Sequence, residues 1–200
     1  MRVKNTESND RQPDMPSIEL LEAELRREKY RRRFKRTLRR TLLSLVVIAA
    51  IAVIIAVLLM PVLQISGSSM ENTLSEGDFV LALNNGKYKS GDVIGFYLNN
   101  GILVKRVIAC PGDWVDMDGD GSVYVNGSRL EEPYLTEKST GECNITLPFQ
   151  VPEGTCFVMG DQRAASIDSR NTAVGCVPDD AIIGKLFLRF WPLERFGIVS

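Results

Sequence analysis

The chain contains no histidine. That absence excludes a Ser-His-Asp triad, a Cys-His pair and any histidine-ligated metal site. Cysteine is sparse as well. Cys110, Cys143, Cys156 and Cys176 include no C-x-x-C pair, so a zinc ribbon is not expected, and the sequence calls for no metal and no other cofactor. If the protein is an enzyme, its general base must be Lys, Asp, Glu or Tyr. Net charge is small as well, at -1 over 200 residues, but that average hides an uneven distribution. Residues 26–40 carry ten Lys/Arg against the single acid Glu28, whereas residues 41–200 carry eleven basic against eighteen acidic residues. A basic block and an acidic body on either side of an apolar segment describe a membrane protein with two unlike faces.

Residues 42–60 form nineteen consecutive positions without a charge, with Ser44 the only polar group. As a helix this run spans about 28 Å, close to the roughly 30 Å hydrocarbon core of a bilayer. A cleaved signal peptide is the rival reading. The apolar run and the arm before it are too long for one, and Leu63-Gln64-Ile65 offers no small-x-small cleavage site. Residues 1–40 therefore read as a cytoplasmic tail, disordered to about Ser17 and then a basic helix. Residues 41–62 read as one transmembrane helix, and 63–200 as an extracytoplasmic domain, placed outside by the positive-inside rule. Charge alone would also suit a nucleic-acid-binding arm. The position of the block, directly before the span, favours anionic membrane lipids, and no nucleic-acid partner is expected.

The exterior part reads as mostly β. Strand-like runs at 78–83, 92–98, 102–108, 122–125, 156–159 and 181–190 are separated by turns such as Asn99-Asn100-Gly101, Pro111-Gly112-Asp113 and Asn126-Gly127. Many short strands with Gly-rich turns predict a coiled, antiparallel, barrel-like set of sheets behind one transmembrane α-helix. Residues 113–157 read as a less typical β insertion. A disulfide between Cys143 and Cys156, across the Pro-rich loop between them, is expected on the oxidising side of the membrane; Cys110 and Cys176 either pair or stay buried thiols. For the aromatic cluster Phe187 to Leu193, core packing is expected ahead of an interfacial contact with lipid.

Two features point to chemistry. Gly67-Ser68-Ser69-Met70, just past the span, suits either a flexible exit or a serine whose backbone approaches a substrate. Lys105 lies within the apolar run Ile102 to Ile108, on the side of Leu103 and Val107, while Arg106 points the other way. Such a lysine either snorkels to water or is buried, and burial favours the neutral amine that a general base needs. Nine positions separate Met60 from Ser69, so Ser69 lies at most about 30 Å beyond the span.

In these residues and their order the chain resembles bacterial type I signal peptidases of the single-span, Gram-positive-like kind. Ser69-Met70 through Thr73-Leu74 is similar to the family's nucleophile box. Ser90-Gly91-Asp92-Val93 resembles its second box, Lys105-Arg106-Val107-Ile108 the lysine box, and residues 160–170 the Gly-Asp-x-Arg box. The resemblance implies a membrane-bound serine endopeptidase that removes signal peptides from exported preproteins. Ser69 would be the nucleophile and Lys105 the general base. Ser166 would hold the lysine amine, Asp168 and Arg170 would form a structural pair, and Asp161 and Arg163 would support the loop. The oxyanion would be met by the Ser69 N–H, with Ser68 a candidate second donor. Leu63, Ile65, Met70, Leu74, Val80 and Val104 would line shallow pockets for small residues one and three places before the cut. A monomer is expected. The chain departs from the family pattern at Asn72, where proline is usual, at Ala164 and Ala165, where an acid and an amide are common, and at Gly67, where Gram-negative members place a serine. The alternatives are a self-cleaving repressor-type peptidase, against which the span weighs, and an impaired homologue assisting assembly of surface structures such as pili.

Overall fold

The computed structural model describes residues 17–84 and 86–199, and only the backbone of 55–59. The expected disordered segment up to Ser17 lies outside the described residues, Ser17 itself excepted. A continuous helix, α1 (Ile18–Leu59), contains both the arginine block and the apolar run. Its N-terminal turn is closed by Ser17, whose carbonyl accepts from Leu20 N and Leu21 N. The helix is long and apolar enough to cross a membrane. Its Leu, Ile and Val side chains over 42–54 are exposed, as lipid-facing positions would be.

The remaining chain forms a separate unit of twelve strands: β1 (Val62–Gln64), β2 (Phe79–Leu83), β3 (Val93–Leu98), β4 (Gly101–Ala109), β5 (Trp114–Met117), β6 (Val123–Val125), β7 (Ser128–Arg129), β8 (Phe149–Gln150), β9 (Thr155–Met159), β10 (Val177–Pro178), β11 (Ile182–Trp191) and β12 (Gly197–Ile198). Eight strands form one sheet in the order β1-β2-β11-β3-β4-β9-β10, with β12 against β11. The other four form a second sheet, β7-β6-β5-β8, within the expected insertion. Every pairing is antiparallel. The mostly β, antiparallel class behind one apolar helix is thus what the structure has. Irregular registers in the β11–β2, β11–β3 and β4–β9 ladders mark bulges, which sharpen twist and coil the large sheet.

Alternation along the strands feeds three apolar clusters. One gathers Leu63, Met70, Leu74, Val80 and Leu186, a second Ile94, Phe96, Val107 and Val158, and a third Ile108, Val115, Phe157 and Met159. The long strand β4 contributes to the last two from its opposite faces, which makes it the central beam of the domain. Gly95 on β3 allows Leu63 to close over it, since a Cβ there would sit 2.6 Å from the leucine Cδ1.

Two expectations need correction. All four cysteines are free. Cys156 lies buried in β9 among apolar side chains that push its thiol pKa up to about 12. Cys143 sits in a loop tied instead to 170–172, through Asn144 N to the Arg170 carbonyl and Asn144 Nδ2 to Thr172 Oγ1, with its own Sγ turned to the Ile145 carbonyl. The C-terminal aromatic run is only partly core. Phe190 meets Phe79 at 6.1 Å, but Trp191 is half exposed and Leu193 and Phe196 more so, because β11 leaves the sheet at the Trp191-Pro192 corner.

Candidate active site

After β1 the chain turns through Gly67, whose φ of 83° suits a residue without a Cβ, into a tight turn in which Glu71 N bonds the Ser68 carbonyl and Leu74 N the Met70 carbonyl. Met70 and Leu74 anchor this turn in the core and leave Ser69 half exposed at its start. Asn72 also has positive φ, 82°, a conformation that asparagine tolerates and proline cannot adopt. The departure at Asn72 therefore matches a turn of different backbone shape.

Lys105 lies on β4 opposite Ile94 and is only 3% exposed. Its Nζ is 2.6 Å from Ser69 Oγ. Desolvation by burial lowers the amine pKa; Asp168 and Asp161 raise it and Arg170 lowers it further, and the net result is a depressed value. The structure thus brings together the two residues singled out for nucleophile and base, 36 positions apart, with the amine in the environment that favours its neutral form.

The loop at 160–170 closes over this pair from β9. Gln162 N bonds the Ser69 carbonyl at 3.0 Å. Gly160 is wedged where a Cβ would lie 2.2 Å from Ser166 Oγ and 2.7 Å from the Ser69 carbonyl oxygen. Asp168 accepts from Arg170 Nε and Nη2, both at 2.8 Å, and from Gly160 N at 3.0 Å. Burial alone would raise the Asp168 pKa, but Arg170 and the Gly160 N–H outweigh it and hold the carboxyl below its ordinary value. Arg170 in turn reaches the carbonyls of Thr140 and Arg163. Ala164 and Ala165 are exposed, so their departure from the usual pattern removes nothing that these bonds depend on.

Other residues stand where the sequence did not put them. Ser166 is buried, and among the described residues its Oγ makes no well-formed hydrogen bond, although it lies near enough to Asp168 to help lower that carboxyl's pKa; the expected bond to the lysine amine is not made, and the amine is engaged with Ser69. Asp161 pairs with Arg106, at 2.9 and 2.7 Å, and accepts from Thr73 Oγ1, while Arg163 pairs with Glu132. Ser68 is exposed. A cleft of about 210 Å³ lies beside Ser69 between β1 and β4, lined by Leu63, Ile65, Met70 and Val104 as expected, and also by Val62, Gln64, Ser66, Gly67, Ile102 and Leu103. Leu74 and Val80 do not line it. Both are fully enclosed in the first apolar cluster, because the turn after Ser69 and the pleat of β2 aim them inward. Arg106, Thr73, Glu132 and Gly160 were the functional neighbours that sequence reasoning missed. Thr73, Arg106 and Gly160 lie within the boxes quoted above but were given no role there, and only Glu132 carried no signal.

Residues 38–191 match the family profile described as signal peptidase, peptidase S26. The chain is 39% identical over 153 residues to signal peptidase IB of Staphylococcus aureus, covering 66% of this chain and 78% of that protein. It is 36% identical over 147 residues to signal peptidase I of Bacillus licheniformis, covering 66% and 76%. Among solved structures, a signal peptidase I from Enterococcus faecalis is 32% identical, with a TM-score of 0.44 over 50% of this chain and 97% of that one. Sequence relationship and a β domain that sets a serine against a buried lysine define a serine peptidase. The chain belongs to the signal peptidase family, peptidase S26. Its activity is the removal of signal peptides from exported preproteins.

Proposed function

We propose that Ser69 is the nucleophile and Lys105 the general base of this hydrolysis, and the observation that carries the assignment is the 2.6 Å contact between Ser69 Oγ and a buried, pKa-depressed amine. Neutral Lys105 takes the hydroxyl proton as Oγ attacks the scissile carbonyl. The resulting ammonium passes that proton to the leaving amine, which departs as the new N-terminus of the mature protein. Water then attacks the ester, gives its proton to Lys105, and the proton returns to Ser69 Oγ as the signal peptide leaves as an acid. The Ser69 N–H meets the oxyanion, with Ser68 the candidate second donor. The Asp168–Arg170 and Asp161–Arg106 pairs stiffen the loop and strand that carry these groups.

The small cleft beside Ser69 suits small side chains near the cut, presented by an extended segment between β1 and β4. The ten basic residues over 26–40, directly before the apolar run, support a cytoplasmic N-terminus, a catalytic domain on the extracytoplasmic face and contact with anionic lipids. The division into a tail over 1–40, a span over 41–62 and a catalytic domain over 63–200 follows from that orientation, and a monomer carries every residue named. The test is processing of a signal-peptide-bearing preprotein by the purified full-length protein in detergent. Wild type cleaves at the signal-peptide boundary, and Ser69→Ala and Lys105→Ala do not while keeping a native circular dichroism spectrum. Full processing by either variant refutes the assignment.

A further inference from the structure

Between β7 and β8 of the second sheet, residues 132–141 run without regular secondary structure, yet they touch the nucleophile turn, the lysine strand and the closing loop. The Glu132 carboxylate forms an ion pair with Arg163, both side chains almost fully enclosed. Arg163 Nε donates to the Gly160 carbonyl at 3.1 Å, and Gly160 is the residue wedged against Ser69 and Ser166. The Arg106 guanidinium carbon lies over the Tyr134 ring, 3.9 Å from the ring centre, and the Tyr134 hydroxyl donates to Glu132 Oε1 at 3.1 Å. Arg106 follows Lys105 directly and joins Thr73 of the nucleophile turn to Asp161 of the loop. Asn72 Nδ2 donates to Thr136 Oγ1 at 3.1 Å, and Arg170 Nη1 donates to the Ser139 and Thr140 carbonyls. Gly141 ends the run where a Cβ would lie 2.5 Å from the Arg163 carbonyl oxygen, so the backbones close to contact distance.

These contacts differ from ordinary loop packing. Each lands within three residues of Ser69 or Lys105, or on an arginine of the closing loop, and two of them neutralise or cover buried cations. Removing Glu132 would leave Arg163 buried without a counter-charge, and the loop would have to move to hydrate it. Removing the Tyr134 ring would uncover the guanidinium that ties the lysine strand to the nucleophile turn.

We propose that residues 132–141 are a strap that holds Ser69 and Lys105 in register, with Glu132 and Tyr134 as its positioning residues; the proposal rests on the peptidase reading above. Neither residue touches the reacting atoms. Their effect belongs in turnover rather than in substrate capture, because the cleft between β1 and β4 lies away from the strap. A misplacement of about 1 Å between nucleophile and base is enough to cost up to a hundredfold in rate.

The test compares wild type, Glu132→Gln, Tyr134→Leu and Tyr134→Phe as full-length proteins in detergent, by steady-state cleavage of a preprotein and by hydrogen exchange read on peptides covering 68–74 and 160–170. Glu132→Gln and Tyr134→Leu are expected to lower kcat about tenfold or more with KM within about twofold. Tyr134→Phe, which keeps the ring over Arg106, is expected to stay within about twofold of wild type. Exchange in both peptides accelerates in Tyr134→Leu and not in Tyr134→Phe. An unchanged kcat in Tyr134→Leu, a loss confined to KM, equal impairment of the Phe and Leu variants, or unaltered exchange overturns the strap. If Glu132→Gln does not fold, the Tyr134 pair decides alone. If wild type itself does not cleave, the peptidase reading falls, and the exchange comparison still decides the strap.

Discussion

Replacing Lys105 by methionine separates the cost of the catalytic amine from its use. Methionine has nearly the length of lysine and no charge, so the space on β4 stays filled. Lys105 is 3% exposed and its amine pKa is lowered, chiefly by desolvation. A depressed lysine pKa means that the unfolded chain binds more protons than the folded one between the folded and unfolded values, so stability rises with pH across that window. Below the folded pKa, each unit of depression costs about 1.4 kcal/mol. The variant gives up the 2.6 Å contact to Ser69, a loss of about 1 kcal/mol. Lys105→Met is therefore expected to be no less stable than wild type at pH 7, where removal of the desolvated amine offsets the lost contact, and its stability should no longer climb between the lowered folded pKa and about 10.5. Turnover moves the opposite way. Loss of a general base removes about 10²- to 10⁴-fold, or roughly 3 to 5 kcal/mol of transition-state stabilisation, and more where base and nucleophile act as one unit. Urea unfolding of the full-length protein in micelles at several pH values, followed by tryptophan fluorescence, gives the first quantity and preprotein cleavage the second. A variant that is clearly less stable than wild type at pH 7, or that keeps the wild-type climb with pH, would refute the claim that burial holds this amine ready as a base.

Three other perturbations follow from the same geometry. Gly160→Ala places a methyl 2.2 Å from Ser166 Oγ and 2.7 Å from the Ser69 carbonyl oxygen, which should destabilise by about 1–3 kcal/mol in thermal unfolding and lower cleavage strongly; native stability in this variant would contradict the tight approach. Asp168→Asn leaves Arg170 buried without its counter-charge and should cost about 3–5 kcal/mol at pH 7. Because the folded Asp168 pKa is depressed, its wild-type contribution is complete above the ordinary carboxylate pKa and fades as pH falls through the folded value, so in acid urea titrations wild type and variant should converge. Asn72→Pro, which restores the residue usual in the family, should destabilise here because φ is 82°, whereas Asn72→Gly should be tolerated; the order of their unfolding midpoints checks this.

Much of the domain could be read from the chain because its central strands are long enough to show a pattern. β2 and β11 alternate buried and partly exposed residues, and β3, β4 and β9 are largely apolar runs bounded by turns, so each coincides with a run that the sequence shows. β1, β8 and β10 have two or three residues each and owe their existence to the neighbours they pair with, which no local pattern records. Ser69 and Lys105 were legible in part for a chemical reason. Without histidine, the serines after Gly67 and a lysine in an apolar strand stood out, but each had a structural reading as well, and it was the resemblance to the signal peptidase boxes that gave Ser69 and Lys105 their roles. The buried ion pairs of Arg106 and Arg163 were not legible in the same way. Arg106 meets Asp161 across 55 positions and Arg163 meets Glu132 across 31, and neither separation leaves a trace in either segment. Leu74 and Val80 show the converse limit. An apolar residue beside an active-site turn reads the same whether it lines the cleft or fills the core, and only the direction of its side chain decides.

The most direct test of the account is to catch the reaction at the serine. Wild-type protein mixed with excess preprotein, quenched in acid within the first turnover and digested, should yield the peptide containing Ser69 with the signal peptide's C-terminal fragment attached as an ester. The adduct should be absent in Ser69→Ala and strongly reduced in Lys105→Met. Cleavage without any adduct on Ser69, or an ester formed on Ser66 or Ser68 instead, would contradict the assignment of the nucleophile.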